Sequence, residues 1–212
     1  MAEPESQFTS VAEFYDELMA VVPYSWWLEY VERLWKRHQA EPCRVLDLAC
    51  GTGFWTEAMT DARSVVGADY NDTVLRIARD KGIAGASFVR ADNDTLPFAP
   101  GAFDVMTAGC WWSHVPLQDL RAHVERLHGA LGPGVRVLWF DNQYVFGSST
   151  PVAYNDEHGN TWQRRPLQDG TEHDVLKNFP DDPTLLQTVA GIARDVRVNR
   201  LQYYWTLEYL TN

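Results

Sequence analysis

The chain has 212 residues, 45% of them apolar and 13% aromatic, with 29 acids against 18 bases and a net charge of −11. That length and aromatic content suit one folded domain with a substantial core, which excludes a disordered chain. The acidic balance excludes a polyanionic partner, because phosphate contact needs dense Lys and Arg, so no nucleic acid is expected. No apolar run of about 18 residues is present, so no membrane-spanning helix is expected. The polar start, Met1 to Ser10 with Glu3 and Glu5, lacks the basic flank and apolar stretch of a secretory signal. Cys43, Cys50 and Cys110 have no C-x-x-C spacing, which disfavours disulfides or zinc and points to a reducing cytoplasm. Nine tryptophans are more than a domain of this size needs for packing.

Taken in order, the first 40 residues read as a helical cap. Val11, Phe14, Leu18 and Val22 recur at helical spacing, as do Trp27, Tyr30, Val31, Leu34 and Trp35 after Pro23. From Pro42, short apolar runs alternate with amphipathic stretches. Strands are expected at 44–49, 64–69, 86–91, 103–108 and 135–140, and helices at 56–61, 72–80 and 118–130. Such alternation predicts a parallel sheet with helices on both faces. Beyond Tyr144 the alternation stops. Two strands, 161–167 and 171–179, are expected in a substrate-side segment (146–182). A helix follows, capped by Asp182 with Pro183 in its first turn and running to about Ala193, and 197–210 supplies the last strand material. The expected organisation is one domain over 1–212, with its core at 42–145.

The motif that carries chemistry is Val45-Leu-Asp-Leu-Ala-Cys-Gly-Thr-Gly-Phe-Trp. A buried strand runs into a Gly-rich turn that opens a helix, and Gly51 and Gly53 let the backbone approach a ligand closely. It is neither a dinucleotide fingerprint, because Ala49 and Trp55 replace two glycines, nor a phosphate loop, which would carry Gly-Lys-Ser/Thr. Asp47 within it is wrong for a phosphate and right for an ammonium group. Asp69 ends the second strand, where a carboxylate can accept both hydroxyls of a ribose, and Asp92-Asn93 follows the third, where an adenine edge can be read. Adenine, ribose and ammonium without phosphate describe S-adenosylmethionine.

On these residues the chain resembles the class I S-adenosylmethionine-dependent methyltransferases over about 42–145. The resemblance implies a Rossmann-like, mostly parallel seven-stranded sheet, with a helical cap and a hairpin insertion. It places Tyr15, Asp47, Ala49, Gly51, Gly53, Trp55, Asp69, Tyr70, Asp92, Asn93 and Cys110 at the cofactor. Outside the core, Pro23-Tyr24, His114-Val-Pro and Arg164-Arg-Pro-Leu-Gln-Asp-Gly with Lys177 are similar to the small-molecule O-methyltransferases that esterify phosphonates. That likeness implies acceptor-side roles for Tyr24, His114, Arg165 and Lys177, with Trp27, Trp111, Trp112 and Gln163 nearby, and a monomer or weak homodimer.

A register test follows. A three-residue turn at Gln168-Asp169-Gly170 would pair Leu167 with Thr171 and set Gln163, Arg165, Val175 and Lys177 on one face. A two-residue turn would separate the cations. Two cations on one face suit an ionised phosphonate or carboxylate, which needs a counter-charge and no general base. A neutral acceptor would need His114 as base. The expected reaction is therefore O-methylation of an acidic metabolite. The alternatives are N-, C- or phenol O-methylation of an aromatic molecule, or a domain that binds the cofactor without catalysis.

Overall fold

The computed structural model describes residues 24–37, 44–61, 63–92, 95–166 and 171–212. The expected helix at 11–22 and Tyr15, Asn93 and the side chains of Tyr24 and Trp27 lie outside the described residues. The elements, in order, are α1 (Tyr24–Arg37), β1 (Arg44–Leu48), α2 (Phe54–Ala58), β2 (Ser64–Asp69), α3 (Asp72–Asp80), β3 (Ala86–Arg90) and β4 (Val105–Gly109). After a 3-10 turn at Trp112–His114 come α4 (Leu117–Leu131), β5 (Arg136–Asn142), β6 (Val152–Asn155), β7 (Thr161–Pro166), β8 (Glu172–Leu176), α5 (Asp182–Val189), β9 (Ala193–Arg200) and β10 (Tyr204–Thr211). Seven strands make one sheet in the order β3-β2-β1-β4-β5-β10-β9, and β6-β7-β8 make a second. This is the Rossmann-like architecture the strand–helix alternation predicts. The chain divides into two compact units, Met1–Thr107 and Ala108–Asn212.

In the first unit β1 pairs parallel with β2 and β2 with β3, so three strand ends point the same way. Their side chains explain the close packing: Val45, Leu46, Leu48, Val65, Ala68 and Leu75 are all buried. Gly67 of β2 is there for space, since a Cβ would sit 2.6 Å from the Phe88 ring and 2.9 Å from the Cys50 sulfur. The helix α3 starts where Asn71 accepts a hydrogen bond from the Thr73 N–H.

In the second unit β10 runs antiparallel to both β5 and β9, with a bulge between Glu208 and Leu210. Asp195, at φ 54°, lies on β9 within this irregular stretch. The C-terminal strand material is thus a hairpin of two strands. The α5 helix ends at Val189, four residues early, and its cap is Asp181, whose carboxylate accepts from the Thr184 N–H. Asp182, the expected cap, instead pairs with Arg200 at 2.7 Å. Trp111, Trp112, Trp139 and Trp205 form one buried cluster: Trp111 stacks on Trp139, and Trp112 meets Trp139 and Trp205 edge-on. Trp139 anchors it by donating to the Tyr209 hydroxyl at 2.9 Å.

Candidate functional site

The first unit supplies the Gly-rich turn. β1 delivers Asp47 into the interior, where its carboxylate accepts from Thr56 Oγ1 at 2.5 Å, nine residues on. The chain then reverses through Ala49 (φ 56°) and Gly51 (φ 55°), conformations that are costly for alanine and free for glycine. Space beside Gly51 is open, and an added Cβ there would meet nothing within 4 Å. Asp69, at the end of β2, accepts from the Gly51 N–H on one oxygen and the Asn71 N–H on the other, both at 2.9 Å. The backbone therefore fixes the carboxylate. Asp92 is exposed just past β3, in a bridge with Thr95. Ala49 and Tyr70 are half-buried beside these acids in the chain. Trp55 is buried, at 7% exposure.

The electrostatics of this unit call for a cation. Burial, with a smaller push from Asp69, raises the Asp47 carboxyl to about 7 against the Thr56 hydrogen bond. Burial also raises Asp69, and the N–H groups of Asn71, Gly51 and Tyr70 oppose it. Neither acid has a salt bridge among the described residues. Thr52 Oγ1, in the turn, is buried with no hydrogen-bond partner. Two unneutralised buried acids, an open glycine and an unsatisfied hydroxyl fit a ligand with a ribose and an ammonium group, and would repel a phosphate.

The second unit holds the other cluster. β5 carries Asp141, which is fully buried. Its carboxylate accepts from the N–H groups of Ser113 (2.9 Å) and Asn142 (2.7 Å) and pairs with Lys177 Nζ at 3.0 Å. Lys177 also donates to Ser113 Oγ at 2.7 Å. The small sheet explains how Lys177 arrives there: Arg165 pairs with His173 and Gln163 with Val175, and the Lys177 N–H donates to the Thr161 carbonyl. This is the register of the three-residue turn, and it puts Gln163, Arg165, Val175 and Lys177 on one face. Residues 167–170, the turn itself, lie outside the described residues.

Shared facing does not make a two-cation clamp. Lys177 is committed to Asp141, a partner that the sequence reading missed because it lies 36 residues away on another sheet. Arg165 differs. Its Nη2 donates to Gln163 Oε1 at 2.8 Å, and Gln163 is held in turn by the Thr150 carbonyl at 2.6 Å. Its Nε is buried without a partner, and no carboxylate lies within salt-bridge distance among the described residues. Burial lowers its affinity for its proton. His114, half-buried beside these groups, falls to about 4. Burial is the main cause and Lys177 and Arg165 add to it, while Asp141 and a hydrogen bond to the Leu176 carbonyl oppose them. Cys110, at φ 55° after β4, is half-buried, and burial with Asp141 pushes its thiol up to about 12. Trp111 and Trp112 do not line a mouth: at 8% and 1% exposure they are core residues of the tryptophan cluster.

Residues 45–134 match the family described as "Methyltransferase domain". Over these residues the chain is similar to methyltransferase domains. The ubiquinone/menaquinone biosynthesis C-methyltransferase UbiE of Shewanella frigidimarina is 36% identical over 146 residues, 62% of this chain and 55% of that protein. The demethylmenaquinone methyltransferase of Lactococcus lactis is 28% identical over 149 residues, 65% of this chain and 57% of that protein. The chain thus spans little more than half the length of these curated relatives. Among solved structures, the DhpI–SAM–HEP complex superposes with a TM-score of 0.72 at 24% identity, covering 96% of this chain and 94% of that one. The PH0226 protein of Pyrococcus horikoshii gives 0.73 at 17% identity, covering 92% and 94%. At such identities these structures bear on fold alone. The family match supports S-adenosylmethionine as the cofactor.

Proposed function

We propose that this chain transfers a methyl group from S-adenosylmethionine to an ionised oxygen of a small acidic metabolite, a carboxylate or phosphonate. The observation that carries the reading is Arg165, a half-buried guanidinium with no carboxylate partner among the described residues, set by Gln163 on the inner face of the small sheet. When bound, the cofactor supplies a methyl carbon on a sulfonium, whose sulfur keeps the carbon–sulfur electron pair as the acceptor oxygen bonds to carbon. Asp47 and Asp69 hold the cofactor's ammonium and ribose. Arg165 holds the acceptor through oxygens that do not attack, since full neutralisation of the nucleophile would slow it. Cys110 and His114 stay neutral near neutral pH. An imidazole near 4 is a poor proton acceptor at pH 7, which favours an acceptor already ionised over one that needs a base.

A second reading, C-methylation of an aromatic ring, is favoured by the names of the curated relatives. The two part on Arg165→Ala, assayed by production of the demethylated cofactor with carboxylates, phosphonates, phenols and quinols. The acidic-acceptor reading expects roughly a hundredfold loss of kcat/KM for anionic acceptors. Turnover of ring acceptors alone, unchanged in the variant, would establish the second reading. Cofactor binding without turnover of any acceptor would leave a non-catalytic binding domain.

A further inference from the structure

On the reading that Arg165 receives an anionic acceptor, the charge inventory around it specifies the acceptor further. Lys177 and Asp141 are both buried and bonded at 3.0 Å, so each cancels the other. Asp141 also accepts from two backbone N–H groups, so its nearest charged partner is Lys177. Lys177 spends a further proton on Ser113 Oγ. The charges of the outer face of the small sheet are paired separately: Arg164 lies 3.0 Å from Asp174 and 3.9 Å from Glu172, and Tyr154 donates to Asp174. Three further titratable groups belong to this inventory. Cys110 and His114 are uncharged at neutral pH, and the Tyr204 phenol is raised by burial and stays protonated. His173 stands opposite Arg165 in the β7–β8 pair.

We propose that the inner face of β7–β8 carries one net positive charge, on Arg165, and that the enzyme selects acceptors whose binding group is a monoanion. A carboxylate, or a phosphonate already esterified once, balances that charge on binding. A dianionic phosphonate brings one more negative charge than Arg165 balances, and at this half-buried site the excess is costly. Monoanion methylation also consumes the charge: the product ester is neutral and no longer pairs with Arg165, which favours its release.

The test uses the full chain at pH 8.5 with matched acceptors on one carbon frame: a carboxylate, the phosphonate dianion and its monomethyl ester. Initial rates of demethylated-cofactor formation are expected to give kcat/KM about tenfold or more higher for both monoanions than for the dianion. Asp141→Asn raises the local charge by one and is expected to shift that ratio towards the dianion by a similar factor. Equal or greater efficiency with the dianion in the unaltered enzyme overturns monoanion selection while leaving the Arg165 reading intact. Turnover confined to uncharged acceptors overturns both. Competitive inhibition of the unaltered enzyme by a methylsulfonate against the matching phosphonate gives the same comparison without a variant, and tighter binding of the dianion would also overturn the proposal.

Discussion

The two units bury carboxylates in opposite ways. In the first, Asp47 and Asp69 are held by one hydroxyl and by backbone N–H groups, with no cation, and both are shifted upward. In the second, Asp141 is as deeply buried but is answered by Lys177. A buried acid without a counter-ion is a request for a cationic ligand, while one with a counter-ion is part of the frame. The difference separates residues that bind from residues that hold, although all three are aspartates at the ends of strands or within them.

Removing Lys177 gives the largest expected effect on this contrast. Lys177→Met leaves Asp141 buried and unpaired, and unfolding in urea is expected to show a loss of about 3–5 kcal/mol. The double variant with Asp141→Asn should recover much of it, and failure to recover would mean that Lys177 contributes by packing. The first unit should behave in reverse. Because Asp47 titrates near 7 in the folded chain, the native state keeps a proton that the unfolded chain has released above its ordinary value of 3.8. The stability this gives is full below that value and is lost as pH rises from it through about 7, a fall of roughly 4 kcal/mol. Urea midpoints from pH 4 to 8 for the native chain against Asp47→Asn should isolate the slope, and saturating S-adenosylmethionine should flatten it. A slope unchanged by the substitution would place the shifted group elsewhere. The smallest effect compares the two left-handed positions. Ala49→Gly is expected to raise stability by at most about 1 kcal/mol by thermal melting, since relief of strain is offset by chain entropy. Cys110→Gly should gain less, because the half-buried thiol's packing and its contact with Asn142 Oδ1 are lost as well.

How much was legible follows from sequence separation. Asp47 and Gly51 lie on one strand and turn, and Asp69 reaches Gly51 from the next strand, so these were legible in the spacing, while Thr56, which donates to Asp47, was not. The register of β7 and β8 is the one expected because it alone sets Arg165 and Lys177 on one face. The tryptophans were misplaced: Trp111 and Trp112 follow a functional strand end, but their side chains turn into a cluster with Trp139 and Trp205 that no local pattern reveals. The cap of α5 shifted by one residue because two adjacent aspartates offer the same chemistry and Arg200 takes the second.

The sequence by itself determined the sheet, the cofactor turn and the acids that serve it, since each depends on groups within one or two neighbouring elements. Only the tertiary structure decided which cation stays open. Lys177 and Arg165 share a face and a formal charge, and nothing local distinguishes them. Folding brings Asp141 to one and not the other, and a buried charge is quenched by whatever partner three dimensions put within 3.0 Å.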